Sequence, residues 1–403
     1  MNALLPRTGL AIQWIGDPRD LRPLYGEWQD LADRSGADIY LSPAWFDVWW
    51  RHFSHDRRLV CLVARENGVL AGLLPFCMET IRVGPLAFRI ARLAGTDPHC
   101  MIFKLPLDAT RAADILEAAL NHLLLVRHCD AVSFTPVSEL AGHRILLQSL
   151  CLNNPGISLT DAPEGSHIVF DLPDRFESFL DGISKKRRSQ FRRDIKGLQN
   201  LFSMTAHRSA PDSAAFAEFV AFHNLQWQAV NKGGHFTDWP GSADFYRDLA
   251  DQTTVGGQVQ LFTLRSTAGP LTGQFALVAS KTAHWRLPAR SLDPEADRLS
   301  AGKVGLLLMI EQLIGDGVTR IEAGRGAYDY KLSYGGTAVP VHRMLVIPAT
   351  TVGRRRAKAV LAWADVLNLV YYRAWFLKFA PKLRQVTGQK PRALWRSWIR
   401  SRL

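Results

Sequence analysis

The sequence predicts an α+β protein made of two copies of one structural plan, followed by a helical basic tail. A strand–turn–strand pattern occurs twice, each time after a helical segment and before a further helix and strand. The net positive charge of the chain is concentrated in residues 351–403. At 403 residues, the chain is long enough for about two domains.

The repeated hairpins lie at residues 59–76 and 259–277, where β-branched and other apolar residues flank a short polar turn. In each copy a turn glycine is followed four residues later by a strand glycine, namely Gly68 and Gly72, then Gly269 and Gly273. Glycine supplies the positive φ that hairpin turns require. A glycine inside a strand indicates a bulge or a close backbone approach.

The elements around each hairpin follow the same order. Helices are predicted before the hairpins at 43–53 and 214–230, and later helix–strand pairs at 112–125 with 131–135, and at 303–314 with 319–323. We therefore expect a first unit over 1–165, a second over 166–350, and a tail over 351–403. The alternative is one large mixed sheet.

Charge and cysteine usage exclude several classes of protein. Of the net charge of +12, the tail supplies all, since it holds thirteen Lys and Arg against one acid, Asp365. Residues 1–350 are near neutral, so no specific nucleic acid partner is expected. Five widely spaced cysteines without a CxxC pair predict reduced thiols and no metal site. Neither a secretory signal nor a membrane span is expected, because no apolar stretch is long enough.

Four stretches carry a resemblance to a known family. They are Leu41 to Phe46 with Trp49, the basic run 184–193, residues 224–227 before Lys232-Gly233-Gly234, and residues 323–326 followed by Tyr330-Lys331. In order and spacing they resemble the acetyltransferases of the CelD/BcsL cellulose-biosynthesis type. Those proteins are relatives of the FemABX aminoacyltransferases and share a duplicated GNAT (acyl-CoA N-acyltransferase) fold. One departure is Ala327, where similar proteins place an acidic residue.

The resemblance implies acetyl-CoA as cosubstrate. We expect the second unit to bind it and the first unit to be largely structural, because residues 298–303 and 324–331 have no polar match after the first hairpin. In a GNAT unit the pyrophosphate rests on backbone N–H groups where a loop enters a helix, and such a helix end attracts anions. The matching loop predicts cofactor contacts from Arg298, Ser300, Ala301, Gly302 and Lys303. The alternative is an ordinary helix start with Ser300 as its N-cap.

The run from Gly324 to Lys331 is the predicted catalytic segment. Its first three residues, Gly324, Arg325 and Gly326, are expected to approach the acyl-CoA closely. Tyr330 is a candidate general acid that protonates the departing thiolate. Asp329 or Glu322 is a candidate general base that accepts the amine proton. Lys331 is expected to pair with a phosphate or carboxylate. The alternative is a β-turn with solvent-exposed polar side chains.

A dense basic helix and two tryptophans are the candidate acceptor site. Lys185, Arg188 and Arg192 are expected to bind an anionic acceptor, with Trp227 and Trp285 lining its groove. The alternatives are a solvated charged face and ordinary core packing. His284 is a possible base, although a satisfied buried histidine is the more common role.

The resemblance implies an N-acetyltransferase whose acceptor is an amino sugar of an exopolysaccharide or of its lipid-linked precursor. An aminoacyl-tRNA-dependent FemX-like enzyme and a catalytically degenerate GNAT scaffold are the competing functions. We expect a cytoplasmic protein. The basic, tryptophan-rich tail predicts peripheral binding to an anionic membrane surface at the inner face of the cytoplasmic membrane. Packing of its first helix onto the body is the alternative.

Overall fold

The computed structural model describes residues 9–96, 100–210, 212–230, 235–238, 241–251, 258–380, 382 and 395–402. The chain forms two compact units. Unit 1 comprises Met1–Glu164 and Pro340–Leu403, and unit 2 comprises Gly165–Val339. The motif Lys232-Gly233-Gly234 lies outside the described residues.

Unit 1 is built on an antiparallel meander. Its elements are β1 Leu10–Ile15, the 3₁₀ helix Pro18–Leu24, α1 Tyr25–Ser35, the 3₁₀ helix Ile39–Leu41, α2 Pro43–Phe53, β2 Arg58–Glu66, β3 Val69–Val83, β4 Leu86–Leu93, α3 Ala112–Asn121 with the π-helical His122–Val126, β5 Ala131–Ser133, β6 Val137–Ser138 and α4 Gly142–Asn153. The strands β1 to β4 pair antiparallel in sequence order, and β5 pairs parallel with β4.

Unit 2 repeats this plan. Its elements are β7 Ile157–Asp171, which begins in unit 1, then α5 Phe176–Gly182, α6 Lys185–Phe202, β8 Thr205–Ser209, α7 Ser213–Ala229, α8 His235–Asp238, α9 Ser242–Asp251, β9 Gln258–Ser266, β10 Gly269–Ala279, β11 Thr282–Arg290, α10 Pro294–Arg298, α11 Ala301–Gly315, β12 Arg320–Arg325 and α12 Asp329–Ser333. The strand order is β7-β12-β11-β10-β9-β8. The strand β13, Thr337–Pro348, then leads back into unit 1.

The duplication is visible in the strand pairing of the two units. In each, a four-stranded antiparallel meander is followed by helical structure and by a strand parallel to the fourth, β5 beside β4 and β12 beside β11. An antiparallel strand then covers this last strand, β13 on β5 and β7 on β12. The predicted α+β fold with two copies of one plan is confirmed.

The hairpin glycines have the roles expected from the sequence. Gly68 and Gly269 adopt φ of 84° and 136°, which favour glycine. A Cβ on Gly72 would lie 2.7 Å from Cδ1 of Ile115, and one on Gly273 would lie 2.9 Å from Cδ2 of Phe219. The strand glycines therefore let a helix pack directly against each hairpin.

The helix α11 is the central packing element of unit 2. It is apolar all round, with Leu306, Ile310 and Leu313 fully buried. A Cβ on Gly305 would lie 2.4 Å from Oγ1 of Thr272, so α11 touches β10 at this position. On the other face of the sheet, α7 to α9 bury an aromatic cluster of Phe216, Phe219, Phe236, Tyr246 and Phe275.

The tail packs on the body of unit 1, which is the alternative stated above for its first helix, and residues 340–403 belong to unit 1. Its described helices are α13 Thr351–Val366, the π-helical Leu367–Phe379 and α14 Trp395–Ser401. Ala357 and Val360 are buried in one cluster with Phe88 and Leu345. The number of charges in the tail did not indicate this packing, because the buried residues alternate with exposed basic residues along the helix. No helix within the described ranges is long and apolar enough to cross a membrane.

Candidate functional site

The strands β11 and β12 separate at the centre of unit 2. Their parallel register runs from Thr282 opposite Arg320 to His284 opposite Glu322. Beyond these pairs β11 continues along β10 to Arg290, while β12 remains paired to β7 through a register shift between Glu322 and Arg325. Two parallel strands that part in this way expose backbone groups along the gap, which suits a ligand that lies between them.

The turn after β12 depends on two glycines. Gly324 and Gly326 have φ of 76° and 98°. The N–H of Gly324 donates to Oε1 of Glu322 at 2.8 Å, and the N–H of Gly326 donates to the carbonyl of Ser166 at 3.2 Å. The turn is thus fixed by the Glu322 carboxylate and by the backbone of β7, and it leads into α12.

Lys331, on α12, is buried within unit 2. Only 6% of the residue is exposed. Its ammonium donates to the carbonyl of Ala323 and lies 5.3 Å from the ring centroids of both Trp285 and Tyr328. Burial lowers the pKa of Lys331 to about 8 against the opposing influence of Glu322. The alternative of a turn with exposed polar side chains is therefore wrong for Lys331.

Trp285 is held in one orientation beneath this ammonium. Its Nε1 donates to Oε1 of Gln274 at 2.9 Å, and Nε2 of Gln274 donates to Oγ1 of Thr272 at 3.0 Å. Trp285 is 4% exposed. The indole is therefore part of the packed core, and its face toward Lys331 stabilises the buried charge.

Tyr330 lies beside the same indole. Its ring meets Trp285 edge-on with centroids 6.4 Å apart and stacks on Tyr328 at 6.1 Å. Burial, together with Tyr328, raises the pKa of Tyr330 to about 12. The phenol therefore stays protonated at neutral pH and is able to donate its proton.

Glu322 is fully buried between two histidines. Nδ1 of His167 lies 3.2 Å from Oε1 of Glu322, and Nδ1 of His284 lies 3.9 Å from Oε2. Burial opposes ionisation of this carboxyl, but the hydrogen bond to His167 and the proximity of His284 outweigh it and lower the pKa to about 2. Such a carboxylate is a weak base, so it is better suited to orienting His284 than to holding the amine proton itself.

Sequence reasoning missed His167 and Gln274. His167 is 155 residues from Glu322 in the chain and lies in a strand that comes before the rest of unit 2. Gln274 stands in an otherwise apolar strand, and that buried polar position was the one available signal. Asp329, by contrast, is exposed at the start of α12.

The start of α11 differs from an ordinary capped helix. Ser300 occupies the N-cap position with φ of 50°, and its side chain makes no capping hydrogen bond. Its carbonyl instead accepts from the N–H groups of Lys303 and Val304. A Cβ on Gly302 would lie 3.4 Å from Cδ of Arg290, and Arg298 pairs with Glu295 at 2.6 Å on the surface.

The basic helix α6 lies beside this loop within unit 2. Arg193 and Asp194 share with Arg298 and Leu299 the lining of a cleft of about 470 Å³. Lys185 and Arg192 are exposed, while Arg188 pairs with Asp181.

The two tryptophans predicted to line the acceptor groove have different surroundings. Trp285 belongs to the core around Lys331. Trp227, on α7, donates from Nε1 to Nε2 of His223 at 2.9 Å, next to His235. The structure thus joins Glu322, Trp285, Tyr330 and Lys331 around one turn, and it places the basic helix beside Arg298.

Comparison with known proteins supports the fold. Residues 185–332 match the family described as the acetyltransferase (GNAT) domain. FemX has 11% identity to the chain and a TM-score of 0.59, with 80% of this chain and 96% of that one covered. The C-terminal domain of a putative lysylphosphatidylglycerol synthetase from Agrobacterium fabrum has 13% identity and a TM-score of 0.50, covering 87% and 97%. No curated protein sequence matches. Residues 185–332 thus match a GNAT-type acetyltransferase domain, and the two solved structures show the fold.

Proposed function

We propose that this protein is an N-acetyltransferase that takes its acyl group from acetyl-CoA and gives it to the amine of an amino sugar. The acceptor belongs to an exopolysaccharide or its lipid-linked precursor, and the reaction takes place in unit 2, in the cytoplasm. The observation that carries the proposal is the ammonium of Lys331, held between Trp285 and the Ala323 carbonyl where β11 and β12 part.

The start of α11 supports donor binding. No side-chain hydrogen bond caps this 15-residue helix. The amides of Lys303 and Val304 donate to the Ser300 carbonyl, so a phosphate oxygen would bind at the amides of Ala301 and Gly302 that precede them. Gly302 permits close approach, and Lys303 and Arg298 add positive charge nearby. The pantetheine arm would lie in the gap between β11 and β12, beside the turn that contains Gly324 and Gly326.

The bound thioester supplies an acyl carbon that an amine attacks, with cleavage of its carbon–sulfur bond. The Lys331 ammonium stabilises negative charge on the acyl oxygen, an effect strengthened by its burial. Tyr330 gives its proton to the departing thiolate. His284, oriented by Glu322, accepts the proton that the amine loses.

The exposed cations of α6 support an acceptor that carries phosphate or carboxylate groups. Lys185 and Arg192 are exposed on α6, and Arg188 is paired with Asp181. Long basic side chains on one helix attract such groups at long range, with an ionic-strength dependence.

The decisive experiment is thiol release from acetyl-CoA in the presence of glucosamine and nucleotide-linked amino sugars. Release that requires an amino sugar, together with an acetylated product by mass spectrometry, supports the proposal. Transfer from aminoacyl-tRNA without use of acetyl-CoA would identify the FemX-like alternative. Failure to bind either donor by calorimetry would indicate a catalytically degenerate scaffold.

A further inference from the structure

The helix that runs from Thr351 to Phe379 has two faces of different character. One face is buried in unit 1, through a stripe of residues three and four apart, Gly353, Ala357, Val360, Ala364, Leu367 and Tyr371. This spacing keeps the stripe on one side over many turns. The helix is therefore a fixed part of unit 1, and its other side has a defined composition.

That other side carries large apolar residues in solvent. Val366 is 49% exposed, Leu369 62%, Val370 60% and Leu377 53%. Val366 ends α13, and the other three lie in the π-helical segment that follows it, where Leu367 and Tyr371 are buried. We call these four residues the apolar helix face. Phe379, at the end of the helix, is 56% exposed and extends it.

Cations surround the apolar helix face. Arg354, Arg355 and Lys358 are exposed on the turns before it, and Arg373 and Lys378 are exposed within it. Asp365, the single acid between residues 351 and 380, pairs with Arg343 at 3.1 Å. Apolar residues next to unopposed positive charge match a surface that is anionic outside and apolar beneath.

We infer that the apolar helix face, with its flanking cations, binds an anionic lipid surface while the opposite side of the helix stays packed on unit 1. The aliphatic side chains enter the interfacial layer and the arginines and lysines pair with lipid phosphates. This inference does not depend on the catalytic chemistry proposed for unit 2.

The structure changes which residues of the tail carry this binding. The tryptophans favoured by the sequence are mostly packed: Trp398 is 4% exposed and stacks on Tyr372 at 4.2 Å, and Trp363 packs against two buried clusters. Trp375 is 37% exposed. The side chain of Trp395 lies outside the described residues. The aliphatic residues therefore contribute the main apolar area.

The competing occupant of this face is a second copy of the chain. A self-associating face would bring the same cations of two copies together, and like charges at close range repel. Charge complementarity therefore favours lipid over a dimer.

The test is flotation of the full-length protein with vesicles of phosphatidylcholine, with and without phosphatidylglycerol. We compare the wild type with Leu369→Ser/Leu377→Ser, and with the matched control Ile145→Ser/Leu152→Ser, whose residues on α4 are 68% and 85% exposed. The expected result is salt-sensitive flotation with anionic vesicles, reduced at least tenfold by the helix-face variant and unchanged by the control.

A charge variant completes the experiment. At low salt the variant Arg354→Gln/Arg355→Gln should float less than the wild type. At high salt the two proteins should float to the same extent, because salt screens the charges. Absence of wild-type flotation at low salt, or equal flotation of the helix-face variant and its control, would overturn the inference. So would a wild-type dimer that the helix-face variant converts to a monomer without any vesicle binding. Circular dichroism checks that each variant is folded.

Discussion

The ammonium of Lys331 lies 5.3 Å from the ring centroid of Trp285, inside the core of unit 2. A buried lysine is costly, because the charged group loses its hydration. The structure offsets part of this cost with the Ala323 carbonyl and the indole face. A charged group that is buried at this cost is typical of residues that act on a substrate. Lys331 is therefore the most informative residue to change.

Replacing Lys331 with methionine should abolish most activity while keeping the fold. Methionine fills similar volume without charge, so the loss of oxyanion stabilisation should reduce kcat by roughly 10²-fold. Steady-state thiol release measures this effect. The matched control is Lys281→Met, which changes an exposed lysine and should retain full activity. A Lys331→Met enzyme within threefold of the wild type would remove Lys331 from the mechanism.

The wild-type kcat should fall as pH rises through about 8. Burial lowers the pKa of Lys331 to about 8, so the ammonium that donates to the acyl oxygen is lost above that pH. A pH–rate profile at saturating substrate measures the effect. A profile that rises through pH 8 would instead assign Lys331 the role of a base.

Lys331 should also make stability depend on pH. The pKa of Lys331 is about 8 in the folded protein and 10.5 when the side chain is solvated, as in the unfolded chain. Between pH 8 and pH 10.5 the unfolded chain therefore binds more protons than the folded protein. The free energy of unfolding of the wild type, relative to that of Lys331→Met, therefore rises with pH across that window by about 2–3 kcal/mol. Urea unfolding of both proteins at pH 7.5 and pH 10 measures it. An unchanged difference would mean that the lysine is solvated.

Changing Glu322 to glutamine should destabilise unit 2. The amide keeps the shape but loses one acceptor and the charge that faces His167 and His284, at a cost of about 1–3 kcal/mol. Urea unfolding at pH 7 gives the value. Glu295→Gln, which removes an exposed partner of Arg298, should stay within about 0.5 kcal/mol. Equal effects of the two changes would show that the buried cluster contributes nothing special.

Alanine at the two turn glycines should reduce stability to different extents. At Gly324 the positive φ costs about 1–2 kcal/mol for a residue with a Cβ. At Gly326 the cost is larger, because its φ of 98° lies farther from the left-handed region that other residues can enter. Thermal unfolding measures both against Gly182→Ala, where space is open. A Gly326→Ala protein as stable as the wild type would disprove the backbone strain.

Much of the fold could be predicted from local sequence. The boundaries 43–53 match α2 to the residue, because Ser42 caps the helix and Pro43 begins it. The turn glycines located both hairpins. The return of residues 340–403 to unit 1 could not be read from the sequence, because it depends on pairing between strands far apart in the chain.

The candidate site was predictable in part. Tyr330, Lys331 and Glu322 could be named because glycines mark the end of a strand. The burial of Lys331 could not, since it follows from packing on Trp285. His167 joins the site through β7, which pairs with β12 from a distant part of the chain, and no local pattern reports that pairing.

Hydrogen–deuterium exchange with and without acetyl-CoA measures whether unit 2 binds acetyl-CoA between β11 and β12. We expect slower exchange at the start of α11, in Trp285 to Arg290 and in Gly324 to Lys331. We expect no change over the matching hairpin and helix of unit 1, residues 58–126. Protection confined to unit 1, or none at saturating acetyl-CoA, would show that acetyl-CoA does not bind between these strands.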